Sequence, residues 1–169
     1  DRCRVAELDI TEGLQLRKND GREEVEEVPE LAGKLKLEMS KLKNCGRIFV
    51  FPESSLSEID AAESFVRKGR AKLPLIVSKP PHVIVDKARR FAVYDERFIA
   101  VPPRQIGIAG TERSQSLLKA LSLFVVSDFS IYHQFFFTPE WGISTSISTL
   151  ETLKRLPLPF GSIDSTELE

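Results

Sequence analysis

The sequence predicts an α/β (α+β) fold in which a mixed, largely antiparallel sheet packs against a few helices. Hydrophobic residues make up 41% and charged residues 29% of the 169 residues, which is the balance of a chain with a buried core. Short apolar runs separated by Pro, Gly and Asp fill the middle of the chain, as in consecutive strands. Apolar residues at helical spacing flank that stretch on both sides.

The first part of the chain contains two predicted strands and two predicted helices. Residues 4–10 alternate roughly between apolar and polar side chains, and residues 48–51 are an apolar run between Gly46 and Pro52. Both segments are expected to be strands. One helix is predicted to begin at Pro29, and a second at Ser57, because Ser57 and Asp60 have the spacing of a capping box. The first helix has apolar residues at Leu31, Leu35, Met39 and Leu42; the second has Ile59, Ala62, Phe65 and Val66.

The middle of the chain is predicted to be rich in strands, and the last third in helices. Five short apolar runs are separated by proline pairs and by turns with Asp and Arg; they cover residues 75–77, 83–85, 91–94, 98–101 and 106–108. From Ser114 onward the apolar spacing becomes helical, with a restart or kink at Ser127 and Asp128. The helical stripes consist of Leu117, Leu118, Leu121, Phe124 and Val125, then Phe129, Tyr132 and Phe136, then Leu150, Leu153 and Leu156.

The domain organisation is predicted from composition and chain ends. Residues 1–45 are expected to be an N-terminal segment or linker, residues 46–160 a domain, and residues 161–169 a flexible tail. The chain begins with Asp1 and has no initiator Met, so we expect it to be a fragment of a longer protein. No apolar run approaches the roughly 18 residues of a membrane span, and the sequence lacks the basic start and apolar stretch of a signal peptide. We therefore expect a cytoplasmic protein without a membrane partner.

The net charge of −1 hides a strong asymmetry along the chain. Residues 1–60 carry ten Lys and Arg against fourteen Asp and Glu, a balance of −4. Residues 61–119 carry twelve against five, a balance of +7, and residues 120–169 carry two against six, again −4. A basic middle inside an acidic chain is typical of a surface that faces an anion, and a solvated charged face is the alternative.

Motifs for catalysis, metal binding and cofactor binding are absent from the sequence. Cys3 and Cys45 lie in no Cys-x-x-Cys pair, and His82 and His133 are far apart, so neither a disulfide framework nor a metal site is expected. There is no phosphate-binding loop, no glycine-rich dinucleotide turn and no nucleophile elbow. We therefore expect this chain by itself to be neither an enzyme nor a cofactor-binding protein.

The order of short motifs resembles the C-terminal target-recognition region of N6-adenine-specific DNA methyltransferases, which occur in restriction–modification and related phage-defence systems. The resemblance covers residues 46–160. The matching pieces are residues 49–60, Arg67-Lys68-Gly69, residues 80–85, Arg89-Arg90, residues 92–94, 106–110 and 116–121, Ser127-Asp128, Tyr132, Trp141-Gly142, residues 150–153 and residues 156–159.

The resemblance implies a division of labour between this chain and a catalytic half. A methyltransferase takes its target base out of the helix, and an appended domain positions the duplex and reads base edges in a groove. In that family the catalytic half holds S-adenosylmethionine and a Pro-Pro-aromatic motif for the target adenine. Lys79-Pro80-Pro81-His82 lacks the stacking aromatic and is not that motif. The implied partners are double-stranded DNA and the methyltransferase domain of the same parent chain, a site-specific adenine DNA-methyltransferase.

The predicted DNA contacts are cations of the basic stretch together with a small polar run. Arginine binds phosphate or guanine through a planar fork, whereas lysine acts as a point charge. A solvated turn is the alternative for the arginine pair at 89 and 90, and a plain loop is the alternative for the polar run. A domain that docks methyltransferase subunits without reading DNA is the alternative function. The candidate residues are Lys79, Arg89, Arg90, Arg104, Arg113, Ser144 and Thr145.

Overall fold

The computed structural model confirms the predicted class, with mixed helix and strand content and mostly antiparallel sheets. It describes residues 8–19, 21, 24–46, 48–138 and 149–159. The strands are β1 Asp9–Glu12, β2 Val25–Glu27, β3 Leu35–Leu37, β4 Lys43–Cys45, β5 Ile48–Val50, β6 Leu56–Glu58, β7 Phe65–Arg67, β8 His82–Asp86, β9 Ala92–Asp95, β10 Ile99–Ala100 and β11 Gln105–Ala109. The α-helices are α1 Lys72–Val77, α2 Gln115–Phe124, α3 Asp128–Phe137 and α4 Leu150–Lys154.

A four-stranded antiparallel sheet in the order β1-β11-β8-β9 lies at the centre of the fold. Every residue of β8 and β11 is buried, because both faces of the sheet are covered. Val83, Val85, Ile106 and Ile108 pack against residues of α2 and α4. On the opposite face Ile84 belongs to a second core with Val77 of α1 and residues of β10.

Smaller sheets surround the central one and include much of the predicted linker. The strands β10, β3 and β6 form a sheet in which β10 and β3 are parallel. The strands β2 and β7 pair, and β4 and β5 pair on either side of residue 46. The described part of residues 1–45 therefore contributes β1 to the central sheet and β3 to the second, and a boundary at residue 46 would divide the pair β4–β5.

Two predicted helices are wrong. The segment after Pro29 contains two 3₁₀ turns, Pro29–Leu31 and Met39–Lys41, with β3 between them, because pairing with β10 and β6 outweighs the apolar spacing. The segment after Ser57 contains β6, the 3₁₀ turn Ala61–Glu63 and β7. Asp60 does cap that turn, accepting a hydrogen bond from the backbone N–H of Ala62 at 2.9 Å, but only a single turn follows.

The predicted strand at residues 75–77 is also wrong, since these residues end helix α1. Pro74 lies in the first turn of α1, where its missing N–H costs no helical hydrogen bond. Gly107 of β11 brings the helix close to the sheet, because a Cβ there would lie 2.6 Å from Cγ2 of Val77. The predicted strands at 83–85, 91–94, 98–101 and 106–108 are confirmed as β8 to β11.

The predicted helical region after Ser114 is confirmed, with its break at Ser127. The Ser127 hydroxyl caps α3 by accepting a hydrogen bond from the backbone N–H of Ser130 at 3.3 Å. The aromatic residues that recur at helical spacing on α3, namely Phe129, Tyr132 and Phe136, are exposed. Among the described residues no single helix is long and apolar enough to cross a membrane. The segments 112–124 and 128–137 meet that test only jointly, as a pair bent by 75°.

Candidate nucleic-acid interface

Asp86 organises the turn that connects β8 to β9. Its side chain is buried at the end of β8 and accepts hydrogen bonds from the backbone N–H groups of Ala88 and Arg90, both at 3.2 Å. The Arg90 guanidinium closes the arrangement, donating from Nε to Oδ2 at 2.8 Å and from Nη2 to Oδ1 at 3.0 Å. Such two-point pairs are among the strongest hydrogen-bonded arrangements in proteins.

Arg90 is therefore held by the protein rather than free for an external anion. Its side chain is about half exposed, at 46%. Its guanidinium lies 4.8 Å from the centre of the Phe49 ring, within cation–π distance. The hydrogen bonds to Asp86 raise the pKa of Arg90 above its ordinary value. A phosphate that engaged Arg90 would have to share the guanidinium with Asp86.

Arg89 is buried, and its predicted position on an exposed turn is wrong. Its residue is only 1% exposed, and its backbone is left-handed with φ of 59°. Among the described residues its Nε and Nη1 have no hydrogen-bond partner. Burial lowers the pKa of Arg89 to about 10, and the charge of Asp86 opposes that shift. Arg89 is thus a buried cation that cannot contact DNA in this conformation.

Helix α3 covers Arg89 with a polar face. Ser130, His133 and Gln134 share one side of the helix and are buried. The Gln134 amide donates from Nε2 to the Lys87 carbonyl at 2.9 Å, which joins α3 to the β8–β9 turn. Burial and then the charge of Arg89 lower the pKa of His133. Among the described residues, three polar atoms of this face lack a hydrogen-bond partner: Ser130 Oγ, His133 Nδ1 and Gln134 Oε1. The buried polar groups of this contact are therefore incompletely hydrogen-bonded.

Strand register separates the remaining predicted cations into two groups. Arg104 lies in a turn before β11, with φ of 66°, next to the end of β8 where Asp86 pairs with Gln105. Lys79 precedes β8 and Arg113 follows β11, so both lie toward the opposite end, where His82 pairs with Ala109. The two ends of β11 are about 14 Å apart at about 3.4 Å per residue. The structure therefore places Arg104 far from Lys79 and Arg113.

Lys79, Arg104 and Arg113 are nevertheless exposed cations. Among the described residues none of these three side chains forms an ion pair or a side-chain hydrogen bond. Ser144 and Thr145, the other two predicted contacts, lie outside the described residues.

A denser group of cations lies between β7 and α1. Arg67, Lys68, Arg70 and Lys72 are all exposed, and within the described ranges their side chains have no acidic partner. Gly69 allows the tight turn among them, with φ of 75°, and its N–H donates to Glu26 at 3.1 Å. The positive balance of residues 61–119 indicated a basic surface that includes this group. The predicted DNA contacts, however, begin only at Lys79 and leave these four cations out.

Helix α1 extends this group toward Lys79. Lys72 begins the helix, and Lys79 follows its last turn, about 10 Å farther along at 1.5 Å per residue. Together, these four cations and Lys79 form what we call the basic segment: Arg67, Lys68, Arg70, Lys72 and Lys79. Its five positive charges are spread along an exposed turn and a short helix, which is a spacing that can follow a phosphate backbone.

No group of His, Cys, Asp or Glu that could hold a metal ion occurs in the described parts of the chain. Comparisons with protein-family models, with curated proteins and with solved structures find no match.

Proposed function

We propose that the chain is a DNA target-recognition domain that positions a duplex for the catalytic half of an adenine-specific DNA methyltransferase. In this proposal the chain itself catalyses no reaction, and S-adenosylmethionine binds to the catalytic half. The order of motifs between residues 46 and 160 supports the family, and the exposed charges support the ligand.

The observation that carries the proposal is the unpaired state of the basic segment. Elsewhere the chain pairs many exposed cations, such as Arg97 with Asp95 and Glu53, and Lys154 with Glu151. The basic segment leaves five cations together without acidic partners among the described residues. Repulsion between unpaired like charges is relieved when a polyanion binds, and released counterions add to the affinity.

Arg104 and Arg113 add separate exposed charges at the two ends of the central sheet. B-DNA presents phosphates on both sides of a major groove about 12 Å wide. Cations separated by the length of β11 are compatible with contacts to more than one stretch of backbone. These contacts would fix the register of the duplex without reading its sequence.

A second candidate function is docking to a protein partner without base readout. The observation that favours it is the outer face of α3, where Phe129, Tyr132, Phe135, Phe136 and Phe137 are all at least 51% exposed. Contiguous exposed aromatic side chains are typical of protein interaction surfaces.

A salt titration of duplex binding tests the proposed function. Arg67, Lys68, Arg70 and Lys72 are changed together to Gln, and binding to duplexes of several sequences is measured by fluorescence anisotropy. We expect weaker binding on every sequence and a slope of log K against log salt that is shallower by about 0.9 per lost phosphate contact. The matched control changes four other exposed cations, Lys34, Lys41, Lys43 and Lys154, to Gln.

Equal losses in the two quadruple variants would mean that net charge alone governs binding. Unchanged affinity and slope in the first variant, with an intact circular dichroism spectrum, would contradict DNA binding through the basic segment. In that case the docking function predicts that changing Phe129 and Phe136 to Gln abolishes association with a methyltransferase domain.

A further inference from the structure

Helix α3 is held against the rest of the fold by polar contacts. The residues that it buries are Ser130, His133 and Gln134, and none of its apolar side chains is buried. Within the described ranges it contributes no residue to any of the three hydrophobic cores, whereas α2 contributes Leu118 and Leu121 to the first. Because apolar burial provides most of the free energy that fixes a helix in a fold, α3 is expected to open more readily than α2.

The connection between α2 and α3 provides a hinge for such an opening. The helical segments 112–124 and 128–137 are bent by 75° relative to each other. Val125, in the connection, is buried in the first core, so the end of α2 stays fixed. The aromatic side chains on the outer face of α3 are more than half exposed, so they gain little from its present position. Helix α3 can therefore move about residues 125–127 without disturbing a core.

The region that α3 covers contains a cation without a full set of partners. Arg89 is 1% exposed, and in the described part of the chain its Nε and Nη1 have no hydrogen-bond partner. The nearby carboxylate of Asp86 already accepts hydrogen bonds from Arg90 through both oxygens. Burial of an incompletely paired guanidinium costs free energy, and this cost falls on the closed position of α3.

The groups of α3 that face Arg89 leave this need unmet. Burial and then the charge of Arg89 lower the pKa of His133, so the two side chains lie close together. Gln134 uses its Nε2 for the Lys87 carbonyl, at 2.9 Å. Gln134 Oε1 and Ser130 Oγ could each accept a hydrogen bond, but neither has a partner among the described residues. The guanidinium thus keeps donors for an external oxyanion, and its planar fork matches a phosphate once it is uncovered.

We propose that α3, residues 128–137, is a lid over a phosphate-binding site: it opens about residues 125–127, and the Arg89 guanidinium then binds a phosphate group at the β8–β9 turn. "Lid" below refers to this helix. The inference rests on the proposed function for the source of the phosphate, which is the DNA backbone. A free phosphate ion carries the same chemistry, and the experiment separates the two.

Labelling with phenylglyoxal, which modifies accessible guanidinium groups, measures the opening of the lid. The rate at each arginine of the full chain is followed by peptide mass spectrometry. Arg155 is exposed and lies outside the proposed DNA contacts, so it is the internal reference. We expect Arg89 to react roughly tenfold more slowly than Arg155, yet faster than global unfolding allows, because the lid opens locally. Hydrogen exchange in the buried strands β8 and β11 gives the rate of global unfolding.

Gln134→Ala should loosen the lid, because it removes the hydrogen bond to the Lys87 carbonyl. We expect Arg89 to be labelled about threefold faster or more, with no change at Arg155. Ser122→Ala is the matched control, since the Ser122 hydroxyl also donates to a backbone carbonyl, that of Lys119, but within α2. This control should change neither labelling rate.

Protection from labelling identifies the ligand of Arg89. The Gln134→Ala chain is labelled with a duplex of A·T pairs only, because the reagent also modifies guanine, and separately with inorganic phosphate at the same concentration of phosphate groups. Stronger protection of Arg89 by the duplex identifies the DNA backbone, and equal or stronger protection by inorganic phosphate identifies the free ion. The inorganic arm and the labelling rates need no duplex, so they test the lid even where duplex binding by the basic segment fails.

Three results would overturn the inference. The first is labelling of Arg89 as fast as that of Arg155 in the unaltered chain, since nothing would then cover it. The second is labelling only at the rate of global unfolding in both the unaltered chain and Gln134→Ala, since α3 would not open by itself. The third is an Arg89 that is labelled but protected by neither the duplex nor inorganic phosphate, since the uncovered guanidinium would then bind no phosphate.

Discussion

Arg89 and Arg90 are adjacent in sequence but have opposite environments. Arg90 neutralises a buried carboxylate through two hydrogen bonds and lies over an aromatic ring. Arg89 is buried in a left-handed conformation with two nitrogens that have no partner. A buried charge without full pairing is costly, whereas removal of one member of a satisfied pair strands the other. The two arginines should therefore respond oppositely to the same substitution.

Replacement of each arginine by methionine tests this contrast. Arg89→Met keeps the side-chain length and removes an unsatisfied charge, so we expect an unchanged or higher free energy of unfolding. Arg90→Met leaves the Asp86 carboxylate without its two strongest donors, and we expect a loss of about 1–3 kcal/mol. Urea denaturation monitored by circular dichroism measures both. A larger loss for Arg89→Met than for Arg90→Met would show that the Arg89 guanidinium is satisfied within the fold.

The residue scale also shows what the sequence could not predict about the candidate site. The sequence Arg89-Arg90 does not show which of the two guanidinium groups is buried. The left-handed backbone at Arg89 and the approach of α3 arise only in the assembled fold. The exposure of Lys79, Arg104 and Arg113 did follow from their charge and their neighbouring prolines and turns. The distance between Arg104 and the other two cations, about the length of β11, could not be predicted, since it depends on strand register.

At the scale of elements, the predictions succeeded where a segment carries one strong periodicity. Strands β8 and β11 are built around short apolar runs, residues 83–85 and 106–108, that lie between turns, and α2 has an apolar stripe of sufficient length. The predictions failed where three-residue strands alternate with single 3₁₀ turns, as in residues 29–42 and 56–67. The apolar residues of both segments recur near helical spacing, but pairing with distant strands decides the structure.

Helix α3 shows what helical spacing alone leaves undetermined. Its spacing correctly predicted a helix, but two faces compete for burial, one aromatic and one containing Ser130, His133 and Gln134. The polar face is buried because Gln134 bonds to the Lys87 carbonyl beside Arg89. Spacing alone cannot choose between the faces, because both recur with the same helical period.

Close packing of α1 on β11 gives a prediction at this scale. Gly107→Ala would place a Cβ 2.6 Å from Cγ2 of Val77 and 2.9 Å from Cγ2 of Val101, and we expect a destabilisation of about 1–3 kcal/mol by overpacking. Thermal unfolding of Gly107→Ala, of Val77→Ala and of the double variant measures the coupling. Because Val77→Ala removes the nearest clashing methyl group, the double variant should lose less than the sum of the single losses. Additive losses would contradict the proposed steric contact.

On the scale of the whole molecule, the uneven charge of the sequence produces surfaces that differ in how far their cations are paired with carboxylates. The basic segment collects cations between β7 and α1 that have no acidic partner among the described residues, whereas Lys18 and Lys36 share the carboxylate of Glu63. The central sheet lies between covering layers on both faces and contains the buried His82, and helix α3 contains the buried His133. Binding is therefore expected at the surface, and the response to acid is expected from the interior.

The buried histidines determine how acid affects the whole fold. His82 in β8 donates from Nδ1 to the Val77 carbonyl at 2.9 Å, and its buried Nε2 has no hydrogen-bond partner in the described part of the chain. Burial lowers the pKa of His82 below 6.5, and the Val77 carbonyl and Asp95 oppose this only in part. Burial likewise lowers the pKa of His133. The unfolded chain takes up protons below about pH 6.5 while the folded chain resists them, so stability must fall as the pH drops through that range.

Acidification should therefore destabilise the molecule in two stages, and urea midpoints measured from pH 8 to pH 3 resolve them. The first stage begins below about pH 6.5, where the histidines of the unfolded chain become protonated. The second lies below about pH 4.5, because hydrogen bonds from Lys36 and then Lys18 lower the pKa of Glu63, and its stabilising contribution is lost as it is protonated. In His82→Asn, whose amide can still donate to the Val77 carbonyl, the first stage should shrink to the contribution of His133. An identical pH profile for this variant would contradict the role of His82, and the second stage, which depends on Glu63, should persist in it.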